Sequence, residues 1–502
     1  MNATTEAPPL PPDTQLPAVD RLVAEASAAA KTWAGTPRAD RAQALSGVAA
    51  ALDGAVEELL PIAMTETRLA EGRLRGELRR TTFQLRLFAE ALRDGSYLEV
   101  RIDHADPDWP MGAPRPDLRR ILVPLGPVVV FAASNFPFAF SVAGGDVASA
   151  LAAGCSVLLK VHPGHPRLSA ATGEVVTEAL VDAGAPAGLF TLLYGEEAGR
   201  AALRAPRVKA GAFTGSVRGG RALFDLASSR PEPIPFFGEL GSLNPVFVTR
   251  SAATARGGAV AEEFIASFTL GAGQFCTKPG VLLAPVGSPL TDTLAGSALP
   301  EPAPLLNERI TDGHRQVRDR LAGHPAVTVL AAGSDESVTA ADGVGSAAPA
   351  PTVLRTTVTA LLQDLDELFS ECFGPTVLVV EYDDEAELLA VADAIDGQLT
   401  ATVVAETDDA IVPELVARLV PKAGRLLWNQ WPTGVSVTEA QQHGGPYPAT
   451  TASATTSVGT AAISRFLRPV AFQGFPEQWL PDELRDASPT APPRRVDGHW
   501  QL

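Results

Sequence analysis

Cysteine is scarce in this chain: Cys155, Cys276 and Cys372 are the only three among 502 residues, and they are unevenly spaced. Neither a disulfide framework nor a zinc cluster is suggested, no metal is expected, and a reducing compartment is the natural reading. Basic charge is in deficit, with 58 acidic against 40 basic residues and a formal charge of −18. That balance argues against nucleic acid or an anionic membrane as a partner, while leaving room for a local basic pocket that takes a small anion. The N-terminus, MNATTEAPPLPPDTQLP, lacks the basic segment and apolar run of a secretory leader. The longest apolar stretch, Ile121 to Lys160, is interrupted by Pro124, Pro127, Asn135, Pro137 and Asp146, which marks buried strands and helices of a soluble core and not a membrane span. Internal repeats are absent. A cytoplasmic protein is expected.

What is present describes an ordinary globular protein, 46% apolar and 20% charged, long enough for two or three domains. Residues 1–16 are Pro-rich and expected to be disordered. From Val19 to Asp94 apolar residues recur at three- and four-residue spacing, which predicts helices. Residues 97–123 read as two extended strands around a Pro-rich excursion. Strand-like and helix-like segments then alternate: GPVVVFAA, CSVLLKV, LFTLLYG and VKAGAFTG as strands, FSVAGGDVASALAAG, RLSAATGEVVTEALVDAG and EEAGRAALRA as helices. This βαβ rhythm predicts a parallel sheet covered by helices. A second α/β region over 245–440 holds SLNPVFVT, GVLLAP, PTVLVVEY, ATVVAE and GRLLWNQW as strands; 333–350 reads as a surface loop, and the tail from Pro481 as irregular.

Five short stretches carry chemistry. In GAGQFCTKPG (271–280) Cys276 sits in a short, flexible, glycine-rich stretch, where a reactive thiol has access and a structural one would not be expected. FTGSVRGG (213–220) follows a strand and opens a helix, so Gly215 and its neighbours either bring backbone N–H groups to a phosphate or form a plain turn. LLKVHPGHP (158–166) ends a strand on Lys160, a position where α/β sheets bind ligands and where a solvated lysine is equally at home. Its H-x-x-H pair, His162 and His165, has no third ligand for a metal. FFGELGSLNP (236–245) sets Glu239 among aromatic residues, a setting that raises a carboxyl pKa and suits a general base, or a structural carboxylate. FAASNFPFAF (131–140) holds one amide, Asn135, which either braces a loop or points at a developing oxyanion.

Taken in order, these stretches with ECFGP (371–375) resemble the aldehyde dehydrogenase superfamily over about residues 20–475. The resemblance implies an NAD(P)-dependent oxidoreductase. Cys276 would be the nucleophile, the Asn135 amide with the Cys276 backbone N–H would hold the oxyanion, and Glu239 would activate water. For the cofactor it implies Lys160 at the adenosine ribose, Gly215 and Ser216 at the pyrophosphate and Glu371 at the nicotinamide ribose, with Phe373 also among the cofactor-binding residues. NAD-preferring members commonly carry K-P-[SA]-E; here the stretch is Lys160-Val161-His162-Pro163. Pro163 replaces the carboxylate that would repel a 2′-phosphate, and with Lys160 and His162 nearby NADP is favoured, NAD remaining possible.

LLWNQWPTGVSV (426–437) and the run from His443 to Gln473 resemble the group containing 2,5-dioxovalerate (α-ketoglutarate semialdehyde) dehydrogenase, which also includes NADP-preferring fatty-aldehyde dehydrogenases. The leading substrate is therefore α-ketoglutarate semialdehyde. Phe136, Phe138, Trp428 and Trp431 would equally suit a tunnel for a longer aldehyde, so fatty or other medium- and long-chain aldehydes stand as the alternative. Behind these come an acyl-CoA-forming enzyme, which needs no water-activating Glu239, and a non-catalytic relative. The implied fold is α/β: a Rossmann-like cofactor domain over 17–97 and 122–244, a catalytic domain over 245–440, bridging segments at 98–121 and 441–480, and tails at 1–16 and 481–502. A homodimer or homotetramer is implied, the bridging sheet pairing with another subunit, in which case the YLEVRID strand should not be left as an exposed edge.

Overall fold

A computed structural model describes residues 10–339 and 345–501. The helical N-terminal region resolves into four helices, Leu16–Ala34, Arg38–Gly54, Val56–Thr67 and Glu71–Asp94. The last ends at Gly95, whose φ of 79° is left-handed and whose N–H caps the Ala91 carbonyl. Most of the segment expected to be disordered, residues 1–9, lies outside the described residues. Residues 10–15 form neither helix nor strand, and Thr14 bonds through its backbone N–H and its hydroxyl to the backbone of Tyr194.

The alternating segments form a five-stranded parallel sheet ordered Phe190–Leu193, Val157–Lys160, Val128–Phe131, Ala210–Thr214, Phe236–Glu239. Starting from the central Val128–Phe131 strand, the chain moves outward to one edge, then returns to the other side. The strand order thus reverses between Val128–Phe131 and Ala210–Thr214, a switch point of the kind that leaves a crevice beyond the carboxyl ends of the strands. Asn135, Lys160, Gly215 and Glu239 all follow or end these strands, so topology alone gathers them at one edge.

A seven-stranded sheet follows, ordered Thr328–Ala332, Thr352–Thr357, Thr376–Tyr382, Val281–Pro285, Val246–Val248, Gln398–Val404, Ala423–Trp428. It is parallel except for Thr328–Ala332, which runs antiparallel at the edge. Cys276 and Glu371 precede the amino ends of two adjacent central strands. The stretch 333–350, expected as a loop, pairs Glu336–Thr339 with Gly345–Ala348 as an antiparallel ladder.

A third sheet is ordered Leu467–Gln473, Leu118–Pro124, Arg101–Asp103, Arg494–Val496, His499–Gln501. Here the structure corrects one expectation and meets another. The tail is not irregular: Arg494–Val496 pairs in parallel with Arg101–Asp103. The YLEVRID strand is, as expected, not left as an exposed edge: Arg101–Asp103 lies between Leu118–Pro124 and Arg494–Val496. Ion pairs fix the tail, with Arg119 on Asp486 at 2.8 Å and Arg115 on Asp497 at 2.8 Å. Among the described residues no helix is long and apolar enough to cross a membrane.

Candidate active site

Cys276 is half-buried in a loop that follows the Arg250–Thr269 helix. Gly271, Ala272 and Gly273 take φ values of 57°, 54° and 68°, three consecutive left-handed residues that reverse the chain. At Gly273 glycine is obligatory for a second reason: a Cβ there would lie 2.2 Å from the Gly374 carbonyl oxygen. The cysteine loop is therefore packed backbone to backbone on the loop that carries Glu371. Lys278 fastens the same junction, donating to the carbonyls of Cys372, Gly374 and Thr376 at 2.6, 3.0 and 2.8 Å. Asn244, at φ 50°, donates to the Cys276 and Lys278 carbonyls, both at 2.9 Å. Gln274 accepts the Leu306 N–H at 2.9 Å. The reading of this stretch as flexible is thus corrected: its glycines permit close packing, and buried polar side chains brace it.

Glu239 ends its strand with 4% exposure. Its Oε1 lies 2.7 Å from Nε2 of His443, and the Cys276 Sγ lies 3.5 Å from the same nitrogen. A single imidazole nitrogen thus stands between carboxylate and thiol. Ser457 donates to the other carboxylate oxygen. Burial pushes the Glu239 carboxyl up, but the His443 ring, the Ser457 hydroxyl and the Arg465 charge outweigh it and hold the carboxyl below its ordinary value. This reverses the raised value expected from the aromatic sequence context, because polar groups from the chain's C-terminal part occupy the surroundings of Glu239. For His443, burial works downward, and Glu239 and Cys276 together carry it up to about 10. At neutral pH the pair is carboxylate and imidazolium, charge matched within the protein interior.

Asn135 lies in the loop beyond the Val128–Phe131 strand and donates its side-chain amide to the Gln274 carbonyl at 3.0 Å, two residues before Cys276. That bond uses one of the two amide N–H groups. Phe136 packs edge-to-face on Phe140 and Phe275, at 5.4 and 5.3 Å between ring centres, making an aromatic wall beside the thiol.

The groups expected at the cofactor spread along the crevice. Lys160 is buried at the end of its strand, and burial lowers its pKa. His162 accepts the Gly164 N–H at 3.0 Å and stacks on His165, whose two ring nitrogens contact Ser169 and Ala133. Pro163 is exposed. Ser216 caps the Val217–Ser228 helix by accepting the Gly219 N–H, with exposed Gly215 just before it. Glu371 is half-buried, and a Cβ at Gly241 would come within 2.2 Å of its carboxylate oxygen, so the glycine makes room for that side chain. Burial pushes the Glu371 carboxyl up to about 7 against the pull of Lys278. Phe373 is half-buried in the same loop. A lysine at a strand end, a capped helix start and an acceptor carboxylate are the donor and acceptor set that a dinucleotide's hydroxyls and phosphates require, and the residues fit it.

Among the described residues, no hydrogen bond or ring contact joins Trp428 or Trp431 to Cys276. Trp428 is 41% exposed at the end of its strand. Trp431 packs on Phe264 and donates to Glu263, both on the Arg250–Thr269 helix. Conversely, sequence reasoning gave no role to His443, Asn244 or Lys278. His443 opens HGGPYPAT and Asn244 sits in ELGSLNP, stretches already singled out, but only the fold reveals what each touches.

Comparison with known proteins agrees with this geometry. Residues 10–289 match the aldehyde dehydrogenase family. The chain is 42% identical over 487 residues to alpha-ketoglutaric semialdehyde dehydrogenase of Acinetobacter baylyi, covering 96% of this chain and 91% of that protein. It is 45% identical over 492 residues to alpha-ketoglutaric semialdehyde dehydrogenase 2 of Azospirillum brasilense, with the same coverages of 96% and 91%. Among solved structures it is similar in fold to aldehyde dehydrogenase C of Pseudomonas syringae, a mutant complexed with NAD+ and octanal (TM-score 0.76, 22% identity, 92% of this chain and 90% of that one). Lactaldehyde dehydrogenase of Escherichia coli gives the same TM-score, 0.76, at 21% identity and 92% coverage of both chains.

Proposed function

The chain belongs to the aldehyde dehydrogenase family and is an NAD(P)-dependent aldehyde oxidoreductase, and from that premise we propose that it oxidises α-ketoglutarate semialdehyde to 2-oxoglutarate with NADP. The observation that carries the chemistry is the meeting of Cys276, His443 and Glu239 at a single ring nitrogen, 3.5 and 2.7 Å from sulfur and carboxylate.

The Cys276 thiolate attacks the aldehyde carbon, forming a C–S bond and an alkoxide. The second Asn135 amide N–H donates to that oxygen, and the imidazolium beside the sulfur is placed to hydrogen-bond the thiolate before attack. When bound, the nicotinamide cofactor supplies the hydride acceptor, and Lys160, Gly215, Ser216, Glu371 and Phe373 are the residues that would hold it. A thioester on Cys276 remains. Glu239, ionised and within one hydrogen bond of His443, takes a proton from water as the water attacks the thioester carbon. The C–S bond then breaks with its electron pair going to Cys276, which is regenerated as thiolate, and the product acid departs and gives its remaining proton to solvent.

The substrate reading is supported by two relatives above 40% identity whose names carry it. The cofactor reading is supported by Pro163, where no carboxylate stands against a 2′-phosphate, and by Arg309, whose charge acts on both Lys160 and His162. We assign cofactor binding to 17–97 and 122–244, catalysis to 245–440 and bridging to 98–121 and 441–480, with Leu467–Gln473 as the sheet edge through which a homodimer or homotetramer would form. The test is kcat/KM with NADP+ and NAD+ across α-ketoglutarate, succinic and glutaric semialdehydes and straight-chain aldehydes. A maximum for α-ketoglutarate semialdehyde with NADP+ is expected; a maximum for long apolar aldehydes would replace the substrate, and reduction of neither cofactor would sink the enzyme.

A further inference from the structure

The Glu71–Asp94 helix carries an unusual inner face. Arg73, Glu77, Arg80 and Gln84 recur at four-, three- and four-residue spacing and so share one side of the helix. Glu77 and Gln84 are buried, and Arg73 and Arg80 half-buried. Each holds a buried polar atom without a hydrogen-bond partner among the described residues: Nη1 of Arg73, Oε2 of Glu77, Nη1 of Arg80 and Oε1 of Gln84. Interior polar atoms are nearly always paired, and of these four the two guanidinium nitrogens are donors that an acceptor on a ligand could satisfy.

This face lies under the Asn135 loop. Glu77 Oε1 accepts the backbone N–H groups of Phe138 and Ala139 at 2.8 and 2.9 Å. Arg73 donates to the Asn135 carbonyl at 2.6 Å, and its guanidinium sits 5.2 Å from the Phe136 ring and 4.8 Å from that of Phe275, the residue before Cys276. The Arg80 guanidinium lies 5.4 Å from the Phe140 ring, which is itself 6.4 Å from His443. Glu77 is the carboxylate that acts on both arginines, and the charges of Cys276 and Glu239 act on Arg80 as well, which places Arg80 within electrostatic reach of the reacting end. A carboxylate brought to this wall would give the orphaned guanidinium nitrogens of Arg73 and Arg80 an acceptor.

We propose that Arg80, with Arg73 beside it, binds the carboxylate of the aldehyde substrate at the end remote from Cys276, so that the enzyme selects aldehydes bearing an anionic group. The proposal deepens the functional reading and rests on Cys276 being the atom that attacks. Phe136, Phe140 and Phe275 contact the intervening methylenes, and Arg80 determines specificity without touching the reacting atoms.

The test compares glutaric semialdehyde with pentanal, equal in carbon number and differing in the terminal carboxylate. The readout is the ratio of their kcat/KM values in the wild type, Arg80→Gln and Arg80→Lys. The wild type should favour the acid. Arg80→Gln should cut the ratio by about ten- to a hundredfold, the range for losing one charge-assisted pair, and Arg80→Lys should recover part of it. An unchanged ratio in Arg80→Gln overturns the proposal even if both rates fall, since a folding defect lowers both together. Calorimetric binding of 2-oxoglutarate to Cys276→Ala, with and without Arg80→Gln, reads the anchor apart from turnover. Binding lost with Arg80→Gln supports it; equal binding, or none to Cys276→Ala itself, overturns it. A wild type that prefers pentanal refutes the anchor and leaves the cysteine chemistry standing. A wild type that oxidises neither aldehyde refutes the chemistry, and the calorimetry then decides the anchor.

Discussion

Gly273→Ala is the sharpest perturbation of the site that leaves every reacting group in place. The added Cβ would lie 2.2 Å from the Gly374 carbonyl oxygen, whereas the close carbon–oxygen contacts that proteins tolerate are about 3.3 Å. The two loops must therefore separate by about 1 Å. One loop carries Cys276 and the other Glu371, and Lys278 bonds across them, so the shift cannot be absorbed by a free side chain. A misplacement of about 1 Å costs on the order of a hundredfold in rate, or about 2.7 kcal/mol of transition-state stabilisation. The left-handed φ of 68° adds about 1–2 kcal/mol of folding cost. Gly287→Ala separates the two effects: its φ is 61° and nothing lies within 4 Å of the added carbon. Steady-state oxidation with both substrates varied, alkylation of Cys276 by iodoacetamide and thermal melts would be measured for both variants. Both should lose stability, and only Gly273→Ala should lose about a hundredfold in kcat/KM, with slower alkylation and a raised cofactor KM. Equal kinetics in the two variants would refute the claim that backbone packing of these loops positions the nucleophile.

Further consequences concern charge. His443→Asn removes the nitrogen between Glu239 and Cys276 and should lower kcat/KM by about 10²–10⁴. The imidazolium is lost as pH rises through about 10, so the wild-type profile should fall there; a variant that keeps the same alkaline limb would contradict the assignment. Glu371, pushed up to about 7, is ionised above that pH and protonated below it. The KM for cofactor should therefore rise as pH drops below about 7 in the wild type and stay level in Glu371→Gln; parallel curves would remove Glu371 from the cofactor site. Pro163→Glu restores a carboxylate near Lys160, and the NADP+ to NAD+ ratio of kcat/KM should fall at least about tenfold; an unchanged ratio would mean that position 163 does not face the cofactor.

The βαβ core was legible because each strand is a short apolar run bounded by turn residues, and burial from both faces leaves no polar alternation to obscure it. Strands whose identity depends on their partners were not. Arg494–Val496 is too polar to read as a strand, and it becomes one only by pairing with Arg101–Asp103. Thr328–Ala332 is largely exposed and depends on Thr352–Thr357. Within the site, Cys276, Glu239 and Asn135 stood out because each is a reactive or polar residue in a short apolar or glycine-rich stretch. His443, 167 residues beyond Cys276, had no such local signal. Arg73 and Arg80 look like the solvated side of an amphipathic helix, and they are drawn inward because that helix packs beneath the Asn135 loop, a tertiary fact that helical spacing alone does not encode.

The most direct measurement is the mass of Glu239→Gln protein after mixing with α-ketoglutarate semialdehyde and NADP+, followed by digestion. With the water-activating carboxylate gone, one equivalent of reduced cofactor should form in a burst, and the acyl group should remain on the peptide holding Cys276. A burst with no retained acyl group, or acylation of Cys155 or Cys372 in its place, would contradict the division of labour between Cys276 and Glu239 on which the account stands.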